Sequence, residues 1–198
     1  MLTFWNERYQ EDEFIYGKNP NLFFAEEIKK LPLGKILLPC EGEGRNAVFA
    51  AQLGWDVQAF DFSEEGKKKA IKLAQENNVT IEYEIADALT VEYPSESFDM
   101  VALLYAHFPD GIRKYLHHKM INWVKPGGII LLEAFNPLQI NNDSGGPKKL
   151  DMLYSEKMIE DDFKELSTTL LITEKTNLNE GKFHDGPADI IRYIGKKK

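Results

Sequence analysis

Lys35-Ile36-Leu37-Leu38-Pro39-Cys40-Glu41-Gly42-Glu43-Gly44-Arg45-Asn46 decides how this chain is read. Its first half, Lys35 to Cys40, is a short apolar run that reads as a first strand, and Arg45 to Leu53 continues as a helix. Between them, Gly42 and Gly44 occupy the turn where backbone comes close to a ligand; a side chain at either would block that approach or forbid the turn. The start of the helix offers unpaired N–H groups to a polar ligand. A glycine pair alone is a weak signal, so the flanking sequence carries the reading.

Moving outward, apolar runs alternate with amphipathic stretches. Asp56 to Asp61 reads as a second strand and Ser63 to Asn77 as a second helix, with Ser63 its N-cap. Thr80 to Ile85 and Phe98 to Tyr105 are the third and fourth strands. A helix from about Gly111 to Val124 stops at Lys125-Pro126-Gly127-Gly128, and Ile129 to Phe135 is the fifth strand. Strict alternation predicts a parallel sheet wrapped by helices. After Asn136 the pattern changes: a polar loop, Asn141 to Pro147, precedes a short helix at Ser155 to Asp162. Strands at Thr168 to Thr176 and Ala188 to Ile194 then flank a turn at Asn179 to Lys182, as in an antiparallel closing hairpin. The expected organisation is one domain over 1–198: an N-terminal lid or helical segment at 1–30, a cofactor-binding core at 34–135, and an acceptor-side loop with the closing hairpin at 136–198.

Composition narrows the class. The 198 residues are 43% hydrophobic, enough for one substantial core. The single cysteine, Cys40, sits in an apolar run and has no intramolecular partner, which suits a reducing cytoplasm. The start of the chain lacks the basic-then-apolar pattern of an export signal, and no apolar stretch is long enough to cross a bilayer. With 24 basic against 32 acidic residues the formal charge is -8, which opposes a nucleic-acid substrate. The four histidines and the cysteine lack the spacing of a zinc site, and no Gly-rich loop ends in Lys-Ser or Lys-Thr.

Asp61 ends the second strand nineteen residues after Gly42, where a Rossmann-like sheet holds the acidic residue that hydrogen-bonds ribose hydroxyls; capping the next helix is the bland alternative. Asp87, after the third strand, suits an exocyclic adenine amine with Phe62 and Ala88 bordering the ring, or a solvated loop. His107 follows the fourth strand and is the candidate to accept or orient the acceptor's proton, with a plain loop histidine as its alternative. Phe4, Trp5, Tyr9, Phe14 and Tyr16 crowd the N-terminal segment, as a lid over the cofactor or as core.

Taken with Phe98-Asp99-Met100-Val101 and Val124-Lys125-Pro126-Gly127-Gly128, these positions resemble the motif series of class I S-adenosylmethionine-dependent methyltransferases. Trp5-Asn6-Glu7-Arg8-Tyr9, Tyr16-Gly17, Gly145-Gly146-Pro147 and His184-Asp185-Gly186-Pro187-Ala188 are similar to the tellurite-resistance branch. The resemblance implies an α/β Rossmann-like fold, a seven-stranded mixed sheet with helices on both faces and an antiparallel last strand. It implies S-adenosylmethionine as cofactor and S-adenosylhomocysteine as product. Carried over, Gly42 and Gly44 approach the methionine portion, with Glu41 near its end; Asp61 takes the ribose, and Asp87 with Ala88 the adenine. Tyr16, Phe62 and Leu104 complete the cofactor set. Asn46, at the place of the superfamily's third glycine, departs from the usual pattern. Tyr105, Gly146 and His184 are the acceptor-side candidates.

The function this predicts is methyl transfer to a small-molecule or inorganic acceptor by a cytoplasmic enzyme without metal, membrane or nucleic-acid partners. A protein that binds S-adenosylmethionine without turnover and a nicotinamide-dependent oxidoreductase are the alternatives. The motifs name neither the acceptor nor an oligomeric state.

Overall fold

Ile36, Leu37 and Leu38 are completely buried, as a central parallel strand requires, and the strands around them follow from the same alternation. A computed structural model describes residues 2–198. Its sheet has seven strands in the order β3-β2-β1-β4-β5-β7-β6. The backbone divides into two compact units, one running to Glu92 and including Glu180–Phe183, the other Tyr93–Asn179 with His184–Lys198.

The first unit holds α1 (Leu2–Tyr9), α2 (Leu22–Ile28), β1 (Lys35–Pro39), α3 (Arg45–Gln52), β2 (Asp56–Asp61), α4 (Glu64–Glu76) and β3 (Glu82–Ile85). β1 pairs in parallel with β2 from Lys35 opposite Asp56 to Pro39 opposite Phe60, and β2 pairs in parallel with β3. This register brings the ends of β1 and β2 level, so that Glu41 N–H still reaches Phe60 C=O at 3.2 Å. Ser63 caps α4 as expected, its Oγ accepting from Gly66 N–H at 3.1 Å. Asn21 caps α2 in the same way through Phe24 N–H.

The second unit holds β4 (Phe98–Leu104), α5 (Asp110–Trp123), β5 (Val124–Phe135), α6 (Glu156–Asp162), β6 (Leu166–Asn179) and β7 (Asp185–Lys197). β4 and β5 are parallel; β7 is antiparallel to both β5 and β6. Strand boundaries differ most from expectation at β5 and at the closing hairpin. β5 begins at Val124, opposite Phe98, because Lys125–Gly128 bulges out of the ladder before pairing resumes with Met100 opposite Ile129. The closing hairpin is longer at each end than its apolar alternation indicates, since its polar flanks stay paired as far as Asn179 opposite Asp185.

The polar loop after Asn136 is pinned rather than loose. Pro137–Asn141 is a 3-10 turn, and the side chain of Gln139, 1% exposed, donates to Ser144 Oγ and Gly145 C=O while accepting from Asp189 N–H and Asn142 Nδ2. Asn142 also donates to Asp189 and Ser144 to Pro187 C=O. These bonds satisfy a long connector that has no ladder of its own. Among the described residues no helix is long and apolar enough to cross a membrane, and no group of acidic, histidine or cysteine side chains is placed to hold a metal ion.

Candidate cofactor site and acceptor side

The chain leaves β1 through three left-handed residues in five: Cys40 at φ +56°, Gly42 at +61° and Gly44 at +86°. Glycine adopts this conformation freely, whereas at Cys40 it costs on the order of 1 kcal/mol. The surroundings explain both glycines. A Cβ on Gly44 would lie 2.5 Å from that of Ala70 on α4, and one on Gly42 would lie 2.6 Å from the phenol oxygen of Tyr9. Close approach at this turn is therefore made by the protein's own α4 and α1. Burial pushes the Cys40 thiol well up, with the Asp61 and Asp87 charges acting the same way, so the thiolate is suppressed.

Asp61 at the end of β2 is 5% exposed. Its Oδ2 accepts from Gly42 N–H at 3.2 Å and its Oδ1 from Ser63 N–H at 2.8 Å. Burial raises its pKa to about 6 against the lowering effect of these bonds. The carboxylate thus ties the second strand to the glycine turn while keeping lone pairs beyond those two amides. Gly42 C=O accepts from the Tyr83 hydroxyl at 2.7 Å, which fixes the turn from the other side. Tyr83 was missed by sequence reasoning; the available signal is the alternation Ile81-Glu82-Tyr83-Glu84-Ile85, which puts the tyrosine on the inner face of β3, where it is the one buried residue of the four.

Glu41 and Asn46 face the protein. Glu41 Oε1 accepts from the N–H groups of Asn46 and Ala47, both at 2.8 Å, and its Oε2 from Asn46 Nδ2 at 3.3 Å. It supplies the cap that Gly44 lacks, and burial raises its pKa to about 7. Asn46 Oδ1 accepts from Asn21 N–H at 2.8 Å, so its side chain is bonded at both ends and is 4% exposed. Its departure from glycine serves α3 and the N-terminal segment. Asp87 Oδ1 accepts from Leu89 N–H at 2.9 Å in an exposed turn, Ala88 is buried and Phe62 is half-buried.

Tyr9 and Tyr16 lie in the same unit. Tyr9 is buried, stacked on Trp5 at 5.5 Å and edge-on to Tyr16 at 6.4 Å. The Tyr16 hydroxyl accepts from Arg8 at 2.8 Å, and burial raises the pKa of both phenols. Arg45, the first residue of α3, donates to Tyr16 C=O at 3.2 Å and pairs with Glu180 at 2.9 Å, both partners nearly buried.

In the second unit, Leu104 ends β4 and is buried, and Tyr105 follows it in left-handed backbone at φ +56°, an uncommon state for a bulky residue. The Tyr105 hydroxyl donates to Glu133 at 2.8 Å, and Arg192 donates to the other Glu133 oxygen at 2.5 Å. The Tyr105 ring packs on Phe135 at 4.7 Å and edge-on to His184 at 4.5 Å. Gly146 lies flat on Phe135, where a Cβ would come within 2.7 Å of the ring.

His107 does not fit the role expected of it. Its Nδ1–H donates to Met152 C=O at 2.6 Å and its Nε2 accepts from Phe135 N–H at 3.2 Å, so neither nitrogen is open to an acceptor. Burial lowers its pKa to about 4, leaving it neutral and weakly basic near pH 7. It is a packing and backbone-satisfying residue between Phe135 and Tyr154. His107→Ala is expected to lower stability by roughly 1–3 kcal/mol for each of the two backbone groups it leaves unsatisfied. Its rate per folded molecule on a working acceptor should stay within threefold of the parent; a hundredfold slower rate would restore the histidine to the chemistry.

Residues 36–128 match the family model described as a methyltransferase domain. Among curated relatives, 2-methyl-6-phytyl-1,4-hydroquinone methyltransferase of Synechocystis sp. is 30% identical over 110 residues, covering 54% of this chain. The alignment spans 34% of that relative, so the match reaches only about a third of its length. A solved structure concerned with conversion of a disulfide bond into a thioacetal group during echinomycin biosynthesis superposes with a TM-score of 0.81 at 16% identity, over all of this chain and 92% of the other. TehB from Haemophilus influenzae superposes with a TM-score of 0.74 at 16% identity, over all of this chain and 67% of that one.

The fold is the Rossmann-like one of class I methyltransferases, and the domain match covers just under half of the chain.

The methyltransferase domain match takes in the glycine turn, Asp61 and Asp87 and ends at Gly128. Tyr9 and Tyr16 precede the matched span, and Gly146 and His184 follow it. An antiparallel β7 between β5 and β6 is the feature of the methyltransferase fold that separates it from the nicotinamide-binding alternative.

Proposed function

We propose that the protein is an S-adenosylmethionine-dependent methyltransferase acting on a small acceptor. The observation that carries this reading is the buried Asp61 carboxylate at the end of β2, bonded to the Gly42 amide of a turn with three left-handed residues. That donor and acceptor set fits a nucleoside carrying an amino-acid tail: a carboxylate for ribose hydroxyls beside a turn with two glycines. The cofactor supplies an electrophilic methyl group on a sulfonium centre.

The chain's own groups bind, orient and exclude water. Asp61 takes the ribose, Asp87 with Ala88 and Phe62 the adenine, and Gly42 and Gly44 the methionine portion, with Glu41 and Asn46 holding the start of α3 beneath it. Tyr16 and Leu104 are assigned to the cofactor, and Tyr105, Gly146 and His184 to the acceptor. With His107 withdrawn, alignment and exclusion of water are the main contributions. A net charge of -8 favours a small acceptor over a polyanion. A single cysteine, Cys40, with no disulfide partner agrees with a cytoplasmic location.

Calorimetric titration with S-adenosylhomocysteine, with NAD and ATP as controls, tests the reading. Saturable binding of S-adenosylhomocysteine alone is expected, followed by transfer of labelled methyl to an acceptor in a screen of phenols, amines, thiols and metalloid oxyanions. Folded, ligand-free protein that binds NAD but not S-adenosylhomocysteine would overturn it.

A further inference from the structure

Residues 10–21 form neither helix nor strand, so their backbone amides depend on partners from elsewhere. Two of them find a side chain between the motif glycines. Glu43, 3% exposed, accepts from Ile15 N–H through Oε1 and from Tyr16 N–H through Oε2, both at 3.2 Å. Lys69 of α4 donates to Glu43 Oε1 at 2.8 Å and to Glu13 C=O at 2.6 Å. A carboxylate buried this deeply costs several kcal/mol unless each oxygen is well bonded, and here three donors meet it. Neighbouring motif side chains point the same way: Arg45 donates to Tyr16 and Asn19 C=O, and Asn46 accepts from Asn21.

Tyr16 in turn carries α1. Its hydroxyl accepts from Arg8, its ring meets Trp5 at 6.5 Å and Tyr9 at 6.4 Å, and Tyr9 rests on Gly42. We infer that Glu43 is a positioning residue of the cofactor site: it hangs residues 13–16 from the glycine turn and thereby sets Tyr16 and Tyr9 over that turn as its aromatic wall. The inference rests on the proposed S-adenosylmethionine site. It makes residues 14–21 the frame on which α1 rests.

The test compares Glu43→Ala, Glu43→Gln and Glu43→Asp with the parent, by titration with S-adenosylhomocysteine, thermal melting and Trp5 emission in a Trp55→Phe, Trp123→Phe background. Glu43→Ala should weaken binding at least tenfold and shift Trp5 emission to the red. Glu43→Gln keeps one acceptor oxygen but turns an N–H towards the other amide and leaves Lys69 without its counter-charge, so its binding should fall between those of the parent and Glu43→Ala. Glu43→Asp keeps the charge for Lys69 but falls short of the two amides, and should weaken binding as Ala does; it decides the matter if the Ala variant does not fold. Ile190→Val, a trimmed core residue in the other unit, controls for lost stability. Binding by Glu43→Asp within threefold of the parent, or an equal loss in the Ile190→Val control at a matched drop in melting temperature, would overturn the inference. A parent protein that fails to bind S-adenosylhomocysteine removes the proposed function before any variant is made, so the two failures are distinct.

Discussion

Asp61→Ala is expected to bind S-adenosylhomocysteine at least a hundredfold more weakly than the parent. Two hydrogen bonds from ribose hydroxyls to a buried carboxylate contribute roughly 1.5–3 kcal/mol each, and about 2.8 kcal/mol is a hundredfold. The same residue sets a pH dependence with two opposite signs. Burial raises the Asp61 pKa from 3.8 to about 6 and that of Glu41 from 4.5 to about 7. In each case the folded chain holds a proton that the unfolded chain has released. Their contribution to stability is therefore fully present below about pH 4 and is lost as pH rises through about 6 for Asp61 and about 7 for Glu41. Ribose hydroxyls, by contrast, donate best to the ionised carboxylate, so cofactor affinity should climb from pH 5 to about 7 and then level. Asp61→Asn should flatten the Asp61 part of both curves. Calorimetry and melting over pH 5–8 read the two trends; an Asp61→Ala protein with near-parental affinity would sink the cofactor pose.

Legibility in the sequence followed the range of the forces involved. The order of strands and helices was readable because burial imposes its period locally: Ile36 to Leu38 and Met100 to Leu104 are apolar without interruption, and they are the buried strands of a parallel sheet. Ser63 was readable as a cap because capping acts over three residues. The place of Asp61 beside the glycine turn was readable too, since register carries the end of β2 to that turn. Partners remote in sequence were not readable. The bonds that occupy His107 come from 45 and 28 residues away, and those of Glu43 from 28 and 27. A histidine just after a strand indicates a direction of approach, but only the fold shows that Met152 and Phe135 meet it first. Glu41, Glu43 and Asn46 illustrate the same limit in one motif, because their spacing suggests ligand chemistry while their bonds hold backbone.

The second large effect lies in the other unit, at a residue the sequence reading passed over. Asp162 at the end of α6 is fully buried and accepts from Arg113 Nε at 2.7 Å, Arg113 Nη2 at 3.4 Å and His117 Nδ1 at 2.8 Å, joining α6 to α5. Burial raises the Asp162 pKa, but the bonds and charges of His117 and Arg113 outweigh it and hold the group below its usual value; burial lowers that of His117. Asp162→Ala leaves a buried guanidinium with only the exposed Asp110 as a partner and should cost about 3–5 kcal/mol. At about 2–4 °C per kcal/mol for a chain of this size, melting should fall by roughly 10 °C. Replacing all three, Arg113→Met, His117→Leu and Asp162→Leu, should recover most of that loss, because the penalty comes from the charge left alone. A triple variant as unstable as Asp162→Ala would instead mean that the network contributes net stability. The depressed pKa values of Asp162 and His117 make this unit lose stability as pH falls, through about 6.5 for the histidine and below about 4 for the aspartate. Acid therefore relieves the buried carboxylates around the glycine turn while it weakens the junction of α5 and α6; Asp162→Ala should abolish the loss below about pH 4, deepen the loss that begins near about 6.5 because His117 no longer has its carboxylate partner, and leave the glycine-turn effect unchanged.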